Sequence, residues 1–219
     1  MKENGKFSFL GFLELLANIV FLNLFFLLCS IPVITMGASL TALYAGLRAS
    51  IKKEPCYRAF FRTFRKSFMR STLAWIILLP VNVFFISSLI FNVFYWEQGS
   101  LVSLFVSAVI ATVFLGFSTV LFLFYSRFEA TLLQLFQYSA KLFFDYPIRS
   151  VIVGLLSWFP FIMPFFAVGF QIFLLLGFVW LFYFSTIATL SIWLMNQPFA
   201  LFAVRVLDME DHRKNDQEQ

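Results

Sequence analysis

The sequence predicts an all-α polytopic membrane protein with six transmembrane helices, the second of them short, and with both termini in the cytoplasm. Two observations predict this fold class. Of the 219 residues, 61% are hydrophobic and 12% are charged, whereas a soluble domain is about 45–50% apolar and roughly 25% charged. All 16 Lys and Arg residues fall in segments that six spans place on one side, as the positive-inside rule requires. These observations exclude a soluble enzyme, a secreted disulfide-bonded domain and a disordered chain.

The apolar runs give the spans in order, because a helix needs about 20 apolar residues to cross a hydrocarbon core of about 30 Å. The predicted spans cover residues 9–31, 35–49, 71–95 and 101–125, and two more lie within the uncharged run 150–194. A competing interpretation makes 35–49 re-entrant, which leaves five spans and termini on opposite sides. The distribution of Lys and Arg favours six spans. Five spans would place Lys2 and Lys6 outside the cell, or else place the loop at Glu97, which has no Lys or Arg, in the cytoplasm, and both run against the positive-inside rule. Residues 1–207 form one predicted membrane domain, and 208–219 form a polar disordered tail.

A predicted helix break at 32–37 separates the first two spans. Pro32 disfavours helical geometry in the residue before it, and Thr35 can cap the next helix. Backbone groups freed at membrane depth need partners, which Thr35 and Asn23 can supply. After Gly37, small residues recur every four positions and allow close helix packing; they are Ala38, Ala42 and Gly46. The favoured interpretation is a packed hairpin, and the alternative is a broken helix that lines a transport path.

Glu14 is the one acidic residue within the predicted spans. Burying an unpaired charge at the bilayer centre costs about 2.5–3.5 kcal/mol on insertion scales, so such residues are often functional. Asn18 lies four residues further on, hence on the same helical face. The favoured interpretation is a carboxylate that reaches the headgroups. The alternative is a proton- or cation-responsive site that includes Asn18 and either Asn82 or Gln171.

The segment 48–70 carries the densest charge in the chain. Its aromatic residues recur at helical spacing, and its basic residues mostly take the other side; the latter are Arg58, Arg62, Arg65, Lys66 and Arg70. This pattern is typical of an amphipathic helix that lies on an anionic membrane surface with its apolar face in the lipid. The alternative is a docking surface for a cytoplasmic partner. Nucleic acid is not an expected partner, because the Phe side chains are predicted to face lipid.

Three motifs carry a resemblance to a known family. The run Ser30-Ile31-Pro32-Val33-Ile34-Thr35-Met36-Gly37-Ala38, the aromatic-basic stretch 60–68 and the triplet Ser126-Arg127-Phe128 resemble the YesL family of bacterial integral membrane proteins. The resemblance extends from about Phe12 to Leu207. It implies a multi-pass protein of the bacterial plasma membrane, without established activity, in a family often encoded beside carbohydrate uptake or sensory-regulatory genes. It brings no catalytic residues.

The sequence lacks the residues for recognisable catalysis. With a single histidine, His212, and two cysteines, Cys29 and Cys56, it offers neither a nucleophilic triad nor a metal ligand set. We therefore expect no enzyme activity, no metal and no cofactor. The predicted function is a non-enzymatic accessory or regulatory component of carbohydrate uptake or sensing. Its expected partners are the anionic inner leaflet and a sugar transporter or sensor component. The alternative is a small transporter or channel, with a path near Glu14, Asn18, Asn23 and the helix break at 32–37.

Overall fold

The computed structural model describes residues 9–94, 101–128, 131–158 and 184–204, and each regular element in these ranges is helical. The α-helices are α1 (Phe9–Ser30), α2 (Met36–Ile51), α3 (Cys56–Phe94), α4 (Leu101–Tyr125), α5 (Leu132–Asp145), α6 (Pro147–Ser157) and α7 (Phe184–Val204), with a 3-10 turn at Val33–Thr35. The predicted tail 208–219, both termini and the return between the last two predicted spans lie outside the described residues.

Four of these helices are long and apolar enough to cross a membrane, namely α1, α3, α4 and α7. The prediction of an all-helical membrane protein is confirmed at this level. The count of six spans and the cytoplasmic placement of both ends stay predictions, since α2 has 16 residues and α6 has 11 within the described ranges.

Helix α2 forms the centre of the described bundle, between α1, α3 and α4. Twelve of its 16 residues are buried, because small side chains let its neighbours approach. A Cβ atom added at Gly37 would lie 2.5 Å from the Cβ of Trp75 on α3, and one added at Gly46 would lie 2.5 Å from Leu22 Cδ2 on α1. Ala38 and Ala42 are fully buried. The predicted small-residue ridge on this helix is therefore confirmed.

Helix α3 differs from the sequence-based expectation. Instead of an interfacial helix followed by a separate span, one helix of 39 residues continues through Arg70 and Ser71. Its aromatic side chains do not all face outward, because some of them pack on other helices of the protein. Phe60 is fully buried, and Phe25 of α1 lies with its ring centroid 6.0 Å from that of Phe60 and 5.1 Å from that of Phe61. The basic segment therefore continues the line of the span that follows it, rather than turning to lie in the membrane plane.

The second half of the bundle is organised around α4. Helices α4 and α6 cross at two glycines, where a Cβ added at Gly154 would lie 3.1 Å from the Cα of Gly116. Helix α5 begins with a capping box between Thr131 and Gln134 and packs its aromatic side chains on Phe117 of α4. Helix α7 closes this half through an aromatic cluster at its contact with the end of α4; the rings are Phe124, Phe128, Tyr138, Phe199 and Phe202.

Candidate functional site: a basic cleft at one end of the bundle

The predicted intramembrane polar residues begin with Glu14 and Asn18 on α1. The Asn18 side chain donates a hydrogen bond to Ser50 Oγ of α2 (3.3 Å) and accepts one from Cys56 Sγ of α3 (3.4 Å). Glu14 is exposed and lines a cleft of about 860 Å³ together with Lys53 of the α2–α3 loop. Asn18 therefore joins three helices, whereas Glu14 is exposed beside the loop that carries Lys53; that its carboxylate reaches the headgroups stays a prediction.

Thr35 and Gly37 lie at the other end of α1, in the turn that leads to α2. The Thr35 hydroxyl donates to the carbonyl oxygens of Cys29 (2.6 Å) and Pro32 (2.8 Å), and it makes no capping bond to the start of α2. The indole N–H of Trp75 donates to the Val33 carbonyl (2.8 Å). Carbonyls freed by the helix break thus find donors on α3 and within the turn, as a packed hairpin requires.

Asn23 lies between these two groups on α1 and is fully buried. Close to it, α7 approaches α1, with Ser185 Oγ donating to the Ile19 carbonyl (3.4 Å). From Glu14 to Ser30, the last residue of α1, the helix rises about 24 Å. The structure therefore keeps Glu14 and Asn18 apart from Thr35 and Gly37, and this separation gives no support to a shared polar path through the described residues.

The predicted surface residues are all exposed on α3; they are Arg58, Arg62, Arg65, Lys66 and Arg70. Arg58 and Arg65, with Met69, form an outer ridge that is exposed; the Arg58 guanidinium lies 5.8 Å from the centroid of the Tyr57 ring. The remaining three residues, Arg62, Lys66 and Arg70, are exposed as well, and they also line a cleft beside the end of α4. We refer to residues 52–70 together with residues 126–128 as the basic end of the bundle.

Between α3 and the end of α4 lies a basic cleft of about 420 Å³. Its described lining residues are Arg62, Thr63, Lys66, Ser67, Arg70, Tyr125, Ser126, Arg127, Phe128 and Leu135. Four of them are cationic and none is acidic. Tyr125 and Arg127 are the functional candidates that sequence reasoning missed. The triplet at 126–128, through its part in the family resemblance, marks this position in the sequence, but it does not tell which helix packs against it.

Arg127 is held at the cleft by contacts with α7. Its Nη2 donates to Asn196 Oδ1 (3.3 Å), and its guanidinium carbon lies 4.4 Å from the centroid of the Phe199 ring. Burial lowers the pKa of Arg127 from its ordinary value, as expected when a charged group is moved out of water. Arg48 of α2 lies behind it and donates to the Ser126 carbonyl. Arg127 therefore lines the cleft, and Arg48 contacts the backbone of the residue next to it.

A further arginine, Arg149, holds α6 against α7. Its guanidinium donates to the Leu194 carbonyl (3.3 Å) and to Gln197 Oε1 (2.9 Å). Pro198 has no N–H, so the Leu194 carbonyl lacks its usual donor four residues ahead in the helix. Arg149 thus supplies the missing hydrogen bond and has a structural role.

For metal or cofactor binding, the described ranges contain no group of three His, Cys, Asp or Glu side chains placed to hold an ion. The absence of a metal site and of catalysis in the whole chain remains an expectation from sequence.

Comparison with known proteins gives one match. A family model described as "Protein of unknown function, DUF624" matches residues 19–89. The matched part is roughly a third of the chain and runs from α1 through the helix break into α3. No curated protein and no solved structure matches the chain. The match supports a family of unknown function over α1–α3, while the narrower resemblance stated from sequence and its link to carbohydrate genes remain proposals.

Proposed function

We propose that this chain is a non-enzymatic accessory or regulatory protein of the bacterial plasma membrane, and that it docks an acidic partner on the outer ridge of α3. The observation that carries the proposal is the unbroken helix from Cys56 to Phe94. The helical stretch from Cys56 to Arg70 adds about 21 Å to the length of the span. The ridge residues Arg58 and Arg65 are thereby exposed on a rigid element beyond the apolar part of the helix.

The expected partner is a component of a sugar transporter or sensor. This part of the proposal rests on the resemblance of the motifs at 30–38 and 60–68, and the partner should carry an acidic surface to complement the ridge. The separation of Glu14 and Asn18 from Thr35 and Gly37 makes a docking role the better supported of the two functions considered.

The docking proposal is tested by gentle extraction of the full chain, followed by identification of co-purified membrane proteins. The variant Arg58→Gln/Arg65→Gln removes two charges from the ridge. The control variant Lys52→Gln/Lys53→Gln removes two charges from the neighbouring loop, whose lysines are also exposed. We expect a transporter or sensor component with wild type and with the control, and at least a fivefold smaller yield with the ridge variant. Recovery of no such component, or equal loss in both variants, contradicts the proposal.

The six-span topology is proposed on the distribution of Lys and Arg. Single cysteines are introduced at Gln98 and Asn4 after replacement of the free cysteines Cys29 and Cys56. We expect an impermeant thiol reagent to label position 98 from outside the cell and position 4 only from inside. Labelling of position 4 from outside contradicts six spans and restores five.

A further inference from the structure

The basic cleft lies at the level where the protein leaves the hydrocarbon. Helix α4 ends at Tyr125, and the uncharged part of α3 begins at Ser71, directly after Arg70. Tyrosine is enriched at membrane interfaces, where its ring sits at headgroup level. The cleft between these two helix positions therefore faces the zone that lipid headgroups occupy.

The cleft has the composition of an anion site. Cationic side chains from two elements line it, Arg62, Lys66 and Arg70 from α3 and Arg127 from the α4–α5 connection. The hydroxyl groups of Thr63, Ser67 and Ser126 line it as well; those of Ser67 and Ser126 already donate to the carbonyl oxygens of Thr63 (2.7 Å) and Leu123 (2.6 Å). Arginine and hydroxyl donors are the groups that proteins use to hold phosphate oxygens.

Buried donors at the cleft have no partner within the described residues. Tyr125 is 7% exposed, and its hydroxyl has no hydrogen-bond partner. The same holds for the Nε atoms of Arg127 and Arg48. Buried polar groups are normally satisfied, and each exception needs an explanation. The two guanidinium groups also repel each other. A bound oxyanion would satisfy the donors of Tyr125 and Arg127, which line the cleft, and would offset the repulsion.

An exposed apolar strip continues from the cleft along α3. Leu73 and Ile77 are 41% and 56% exposed. Leu73 lies three residues after Arg70 and seven after Lys66, and Ile77 lies four residues after Leu73. At this helical spacing the four side chains lie on the same face. A ligand with its phosphate in the cleft can therefore lay an acyl chain along this strip.

We propose that the basic cleft binds the phosphate headgroup of an anionic phospholipid, with Tyr125 and Arg127 as donors to the phosphate oxygens and the apolar strip of α3 as the path of the acyl chains. Basic pockets between membrane helices bind anionic headgroups in this way. Arg58 and Arg65 do not line the cleft, so this inference does not depend on docking at the ridge that they form.

The test measures lipid binding to the full chain, purified in detergent and stripped of bound lipid. The probes are phosphatidylglycerol, phosphatidylcholine with the same acyl chains, and inorganic phosphate, and bound lipid is counted by native mass spectrometry. The variant Tyr125→Phe removes one hydroxyl. Its matched control is Tyr57→Phe, which removes an exposed hydroxyl at the same end of the bundle. Arg127→Gln and Arg65→Gln form a second pair with equal loss of charge.

We expect wild type to bind phosphatidylglycerol at least tenfold more tightly than phosphatidylcholine. Tyr125→Phe should weaken that binding about tenfold, as the loss of one hydrogen bond to a charged group does, and Tyr57→Phe should change it less than twofold. Arg127→Gln should weaken binding more than Arg65→Gln does. Because Tyr125→Phe is conservative, its helical content should match that of wild type, which separates lost binding from lost folding.

The source of the phosphate is decided by competition. If phosphatidylglycerol stays bound in millimolar inorganic phosphate, the result supports a phospholipid as the ligand. If inorganic phosphate displaces phosphatidylglycerol, and its own binding is equally sensitive to Tyr125→Phe, the phospholipid proposal is overturned and the ligand of the cleft is a soluble phosphate. Equal binding of the two lipids, or equal effects within each matched pair of variants, overturns the site itself.

Discussion

Replacement of Gly154 by alanine tests the crossing of α4 and α6. Alanine at this position would bring its Cβ to 2.5 Å from the Thr112 carbonyl oxygen and 3.1 Å from the Cα of Gly116. Both are backbone atoms, which cannot rotate away. Close carbon–oxygen contacts between helices lie at about 3.3–3.6 Å, so the two helices must separate by roughly 0.8 Å.

The expected cost follows from that separation. A gap of about 0.5–1 Å forfeits a quarter to a half of each dispersion contact across the interface, and overpacking of this kind typically costs about 1–3 kcal/mol. Gly46→Ala is the matched control, because its nearest contact is Leu22 Cδ2 at 2.5 Å, the end of a flexible side chain, and its nearest backbone contact is the Cys56 carbonyl oxygen at 3.3 Å. Both variants gain the same helix propensity, up to about 1 kcal/mol, and this gain cancels in their difference.

The assay is unfolding of each variant in detergent, followed by tryptophan fluorescence. We expect Gly154→Ala to lower the free energy of unfolding by about 1–3 kcal/mol relative to Gly46→Ala. If Gly154→Ala is as stable as Gly46→Ala or more stable, α4 and α6 do not cross at this glycine and the reasoning is refuted.

Two further predictions use the same unfolding assay. Arg149→Ala should cost about 1.5–3 kcal/mol, because the Leu194 carbonyl loses its donor. In a Pro198→Ala background the cost should fall by about 1 kcal/mol, since the helix amide returns; additive effects contradict this role. Thr35→Val should cost about 1–3 kcal/mol through the lost bond to the Cys29 carbonyl, whereas Thr35→Ser, which keeps the hydroxyl, should cost less than half as much. Equal losses at position 35 contradict the proposed part of the hydroxyl in the turn.

The sequence predicts most of the helix boundaries because lipid and turns leave clear signals. The expected spans 9–31 and 101–125 agree with α1 (Phe9–Ser30) and α4 (Leu101–Tyr125). At Arg70 the same reasoning failed. The composition changes there from basic to apolar, but no Gly or Pro interrupts residues 56–79. A change in composition marks a change of environment along the helix axis and not the end of the helix.

The basic cleft was beyond sequence reasoning for a different reason. Periodicity places Arg62, Lys66 and Arg70 on one face of α3, but it does not tell which helix covers that face. The partner residues Tyr125 and Arg127 come from the end of α4, more than 50 residues later in the chain. The buried hydroxyl without a partner, which distinguishes a site from a solvated basic surface, depends on packing between these two helices.

The position of α2 bears on the choice between five and six spans. Near one end it meets Asn18 of α1 through Ser50, and near the other, Gly37 closely approaches Trp75 of α3. Helix α2 therefore runs antiparallel to α1 over the depth from Asn18 to Ser30, about 18 Å. A re-entrant segment would return to the level at which it entered, whereas α2 leads from the turn at Val33–Thr35 to the basic end. Because protein and not lipid surrounds most of its surface, its 16 residues do not need the apolarity of an isolated span. If α1 crosses the membrane, α2 returns over most of the same depth, which supports six spans.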